Sequence, residues 1–123
     1  RMKRVLLTGA TGFIGRQAIA PLVSRGYDVH AVTSNQPPVP QPGVTWHRAN
    51  LLIPGEVETL VEGVAATQLL HFAWYVEHGR FWISPENLKW VEASLHLLRL
   101  FEARGGRRVV MAGTCAEYDF VDD

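Results

Sequence analysis

The sequence predicts an α/β fold, a doubly wound parallel sheet with helices on both faces. Three observations carry that expectation. Short apolar runs alternate with amphipathic stretches along most of the chain, the pattern of strands joined by crossover helices. The first apolar run breaks into three glycines spaced three apart, Gly9, Gly12 and Gly15, ahead of the first helical stretch. A length of 123 residues suits one domain rather than two. Right-handed crossovers then favour the strand order 3-2-1-4-5.

Each element has its own signal. Residues 4–8 are a short apolar run ending in glycine, the signature of a buried parallel strand. Residues 13–25 place Phe13, Ile14, Ala18, Leu22 and Val23 at roughly helical spacing, and Gly26 stops them. Pro21 lies inside this helix and removes one backbone donor, so a bend or local loosening is expected there. Residues 28–33 read as the second strand. The stretch 34–43 holds four of the seven prolines and is expected to be a surface loop. A third strand follows at 44–48, a short helix at 55–63 and a fourth strand at 68–73. The irregular aromatic stretch 74–85 precedes a long helix, about 86–104, with an expected apolar stripe of Leu88, Val91, Leu95, Leu98 and Phe101. Gly105 and Gly106 end it, and 107–112 is the fifth strand.

Composition excludes several classes of partner. Lys plus Arg and Asp plus Glu number 12 each, so the zero net charge argues against a nucleic-acid or anionic-membrane surface. No apolar run approaches the ~20 residues that span a bilayer. Cys115 is the only cysteine, which rules out an internal disulfide and fits a reducing, cytoplasmic setting. The five histidines show no metal-ligand spacing, and no metal site is expected. His30 and His71 fall in strands and read as satisfied interior groups. Cys115 reads as a small buried thiol, because no partner base stands out in the sequence.

The glycine turn carries the chemistry. Thr8-Gly9-Ala10-Thr11-Gly12-Phe13-Ile14-Gly15 joins the first strand to the first helix. Gly9 lets the chain turn sharply, Gly12 lets backbone approach a pyrophosphate, and Gly15 lets the helix pack closely. The helix amino terminus then faces the phosphates with its free N–H groups and positive dipole end. No Lys-Ser/Thr pair follows the glycines, which excludes a P-loop.

Thr8 to Gly15, in its Gly-x-x-Gly-x-x-Gly spacing, resembles the signature of the extended short-chain dehydrogenase/reductase family, the nucleotide-sugar epimerases, dehydratases and reductases with a Rossmann-type fold. Three further segments resemble that family in the same order. They are His71-Phe72-Ala73-Trp74 at the end of the fourth strand, Val91 to Leu98 on the long helix, and Ala112 to Tyr118 closing the fifth strand. The resemblance implies an NAD(P)-binding domain over residues 1–123. Its cofactor residues would be Gly9, Ala10, Thr11, Gly12, Phe13, Ile14, Gly15, Thr33, Ser34, Asn50, Leu51, Phe72, Ala73 and Trp74.

The choice of cofactor turns on the end of the second strand. NAD-specific relatives carry an acid there to bind the ribose hydroxyls. Here Thr33 and Ser34 occupy the position, and a hydroxyl tolerates a 2′-phosphate. Residues 33–43 contain no Lys or Arg, but Arg16 follows the third glycine. Arg16 reads either as a phosphate ligand or as a solvated first-turn residue. NAD or NADP is expected, with a slight lean to NADP. Asn50 stands where the family often has an Asp near the adenine.

In the resembled family a Tyr, with a Lys four residues later, acts as acid or base beside a Ser or Thr that holds the substrate. Thr114 matches the Ser/Thr; as a bland alternative, it caps a turn. Tyr27, Tyr75 and Tyr118 are followed at that spacing by Ala31, Gly79 and Asp122, so the pair is absent from these residues. The chain is therefore expected to be an amino-terminal portion, truncated before the catalytic helix, without the carboxy-terminal substrate domain and inactive alone. Trp74, Tyr75, Phe81 and Trp82 read equally as substrate contacts or as cover for the sheet edge. A homodimer through the helix 86–104 is expected, and a nucleotide sugar is the substrate implied for the full-length protein. The alternative function is a redox-inactive NADP-binding sensor of the same fold.

Overall fold

The computed structural model describes residues 2–73 and 85–112. The elements in chain order are β1 (Arg4–Thr8), α1 (Gly15–Ser24), β2 (Asp28–Thr33), β3 (Val44–Arg48), α2 (Pro54–Val64), β4 (Gln68–His71), α3 (Glu86–Ala103) and β5 (Arg108–Met111). All the strand pairings are parallel, and the sheet order is β3-β2-β1-β4-β5. The expected fold class and strand order hold. Boundaries differ by one or two residues from the sequence reading, as helix ends do.

Strand alternation sorts the core into two halves. On β1, Val5 and Leu7 face α1 and join Ile19, Val29 and Ala31. Leu6 faces the other way and joins Val57, Leu60, Val61, Val64, Leu69, Leu97 and Phe101, the apolar side of α2 and α3. Adjacent residues on one strand therefore feed opposite faces, as the two-residue period requires. Each fully buried Val or Leu contributes roughly 1.5–3 kcal/mol of transfer free energy. Leu6 pairs with His30 on one side and Leu69 on the other, so β1 lies at the centre of the sheet.

One local expectation needs correction. Of the expected α3 stripe, Phe101 is buried and Leu98 packs against the core, but Leu88, Val91 and Leu95 are 70%, 45% and 49% exposed. The face that meets the sheet is Ser94, Leu97 and Phe101, with Trp90, Leu98 and Leu100 packed beside it. The expected stripe thus meets the core at its carboxy-terminal end, and Ser94 and Leu97 take the place of its amino-terminal part. Pro21 lies inside helix α1, and its carbonyl accepts the Arg25 N–H at 3.1 Å and the Ser24 hydroxyl at 3.0 Å. The stretch 34–43 contains no helix or strand, as its prolines require.

Candidate cofactor site

The glycine turn is built by contacts that leave no space for side chains. Gly9 has φ +63°, and a Cβ there would lie 2.7 Å from both the Ala73 nitrogen and the Phe72 carbonyl carbon. The turn is thus pressed against the end of β4, and only glycine permits both the angle and the approach. Gly12 N–H donates to the Gly9 carbonyl at 3.0 Å. A Cβ on Gly15 would lie 2.0 Å from the Gly9 carbonyl oxygen. Gly15 therefore serves the closeness of helix to turn rather than helix to sheet. Ala10 N–H reaches the Val32 carbonyl at 3.4 Å, tying the turn to β2 as well.

The two helices flanking the sheet centre differ at their amino ends. Glu56 stands in the first turn of α2 and its Oε1 accepts the Asn50 N–H at 3.1 Å. The α1 terminus has no acid in its first turn and no side-chain cap. An amino end of this kind suits an anion. Phe13 and Ile14 in this turn are 73% and 58% exposed. The Arg16 guanidinium carbon lies 5.5 Å from the centre of the Phe13 ring.

Beside the turn lies a cleft of about 450 Å³, lined by Thr11, Arg16, Ile19, Pro38, Gln41 and Trp46 among others. None of the described residues that line it is a carboxylate. The proline-rich loop and Trp46 form its far wall, a contribution the sequence reading missed. Alternation along β3, which puts Trp46 on the α1 face, was the signal available. Trp46 Nε1 is buried without an acceptor.

The predicted residues separate into groups. Gly9, Ala10, Thr11, Gly12, Phe13, Ile14 and Gly15 form one turn, with Phe72 and Ala73 packed behind it. Thr33 is 4% exposed, and its Oγ1 accepts the Asn35 N–H at 3.2 Å and lies 3.4 Å from Thr11 Oγ1. Its hydroxyl closes the turn after β2; Ser34 is the exposed one. Asn50 Oδ1 accepts the Leu52 N–H at 3.0 Å, so the side chain shapes the loop before α2. Leu51 is buried in the α2–α3 core. Trp74, Thr114 and Cys115 lie outside the described residues, as do Tyr75, Phe81 and Trp82.

The interior histidines are partnered. His71 is 3% exposed with both ring nitrogens hydrogen-bonded, and burial lowers its pKa to about 4. His30 contacts His47 at 2.9 Å and Asp28 at 3.2 Å. Burial, and then the neighbouring His30, lower the pKa of His47. Among the described residues, no group of three or more His, Cys, Asp or Glu is placed to hold a metal ion. No helix among them is long and apolar enough to cross a membrane.

The family follows from the whole chain. The sequence profile of the NAD dependent epimerase/dehydratase family matches residues 5–123. The chain belongs to that family. No curated protein matches it by sequence. Among solved structures, it is similar to the enzyme WbmH of Bordetella bronchiseptica in complex with NAD+, with a TM-score of 0.73 and 18% identity, over 89% of this chain and 38% of that one. Uronate dehydrogenase from Agrobacterium tumefaciens, complexed with NAD, gives 0.76 and 22%, over 93% and 42%. UDP-glucose 4-epimerase from Thermotoga maritima, with UDP-glucose, gives 0.72 and 20%, over 88% and 37%. These identities establish the shared fold alone, and this family member spans about two-fifths of the length of those structures.

Proposed function

We propose that this chain binds NAD or NADP and forms the dinucleotide-binding portion of a nucleotide-sugar epimerase, dehydratase or reductase. The observation that carries the reading is the glycine turn, pressed onto β4 at Gly9 and leading into a helix whose amino end has neither cap nor acid. The pyrophosphate would rest on the turn at Gly12, Phe13 and Ile14, and Phe72 and Ala73 would back it. Bound there, the dinucleotide supplies a hydride acceptor or donor. This chain's residues bind and orient it, and Thr114 is carried forward as the hydroxyl that holds the substrate.

The cleft beside Arg16 supports the lean to NADP. A guanidinium with no lining carboxylate suits a 2′-phosphate. Asn50 and Ser34 are retained as polar neighbours of the adenosine end, whereas Leu51 and Thr33 act through the shape of the site. The exposed Leu88, Val91 and Leu95 on α3 support association through that helix, measurable by sedimentation.

Calorimetric titration of the 123-residue chain with NAD+ and NADP+ tests the assignment. Saturable binding of at least one is expected, and the absence of heat with both would overturn it. Mixed with NAD+ and UDP-glucose, the chain is expected to give no turnover, because none of its three tyrosines has a Lys four residues on. Conversion of the sugar would defeat that expectation.

A further inference from the structure

Thr8, His71 and Ser94 come from β1, β4 and α3 and meet in the core, at 0%, 3% and 6% exposure. Thr8 Oγ1 accepts two backbone N–H groups, from Phe72 at 3.0 Å and Ala73 at 3.2 Å. A hydroxyl oxygen has two acceptor lone pairs, and both are used. Its proton is left for His71 Nδ1, at 2.6 Å. Nδ1 is therefore an acceptor and carries no proton. Nε2, 2.8 Å from Ser94 Oγ, carries the ring's one proton and donates it there.

We propose that His71, locked as the neutral Nε2–H tautomer between Thr8 and Ser94, is a positioning residue that transmits the seating of α3 to the glycine turn and so sets the affinity of the cofactor site. Only the last step rests on the dinucleotide reading. The geometry leaves little slack along the route. The Thr8 hydroxyl holds the Phe72 and Ala73 amides, and Gly9, the next residue, is packed against those same two residues. A proton on Nδ1 would turn the Thr8 hydroxyl away from its acceptor and take a lone pair from one amide. A side chain of the same shape without the hydrogen bonds would fill the space but lose the coupling.

A long-range proton–nitrogen correlation spectrum of the 15N-labelled, 123-residue chain tests the tautomer directly. An unprotonated Nδ1 and a protonated Nε2 are expected from pH 5 to 8; the reverse pattern, or a charged ring at pH 6, overturns the proposal. Ser94→Ala is expected to shift the amide resonances of Gly9, Phe72 and Ala73, and shifts confined to α3 oppose it. Thr8→Val, which keeps the shape, is expected to weaken NAD+ binding at least tenfold, while Thr8→Ser stays within threefold of the unmodified chain. Equal binding by Thr8→Val and Thr8→Ser counts against the relay. A chain with the assigned tautomer and coupled amides that binds no NAD+ sinks the dinucleotide reading alone. Binding of NAD+ by a chain with the opposite tautomer sinks the relay alone.

Discussion

The carbonyl oxygen of Gly9 occupies the place where Gly15 would carry a side chain, 2.0 Å from an ideal Cβ. The third glycine is therefore required by the first. Gly15→Ala must move backbone, not a flexible side chain, and is expected to cost about 3 kcal/mol, the upper end of overpacking losses. Urea unfolding measures it. A loss below about 0.5 kcal/mol would mean the turn and helix separate easily.

Arg16 lines the cleft, and none of the described residues beside it there is a carboxylate. Arg16→Ala is expected to weaken NADP+ binding about tenfold, as removal of one charge-assisted contact does, and to leave NAD+ binding nearly unchanged. Parallel titrations with the two dinucleotides check this. An equal change for both would return Arg16 to the solvated surface.

Acid should loosen the fold through His71. Its pKa is lowered from 6.5 to about 4 by burial, so the unfolded chain binds the proton more readily across that interval. Stability from this group is complete above about pH 6.5 and falls as the pH drops towards 4, by on the order of 3 kcal/mol. Urea midpoints at several pH values follow the loss. His71→Asn should flatten the profile over this window; an unchanged slope would assign the acid sensitivity to other groups.

The two apolar faces of α3 should respond differently to truncation. Leu97 is 1% exposed and Leu95 is 49% exposed. Leu97→Ala is expected to cost about 2–5 kcal/mol. Leu95→Ala is expected to cost about 0.5 kcal/mol or less, as exposed positions do. Thermal melts of the two variants compare them, and similar losses would show that the outer face is covered in solution.

The sequence by itself determined the order of elements, the parallel sheet and the place of the glycine turn. These are local matters: runs of Val and Leu, glycines at set spacing, and prolines that forbid helix in 34–43. It also led to Gly9, Gly12 and Gly15, because backbone freedom is written in the residue type. Tertiary structure alone decided which stripe of α3 meets the sheet. Periodicity reports that residues share a face, not which face finds a partner, and of the stripe Leu88, Val91, Leu95, Leu98 and Phe101 only the last two pack against the core. Ser94 finds its buried partner in His71, 23 residues earlier, which no periodicity along α3 indicates. The role of Thr8 was hidden likewise: its partners lie 63 to 65 residues away. Hydrogen bonds at that separation follow from how strands pair, and no local propensity encodes them.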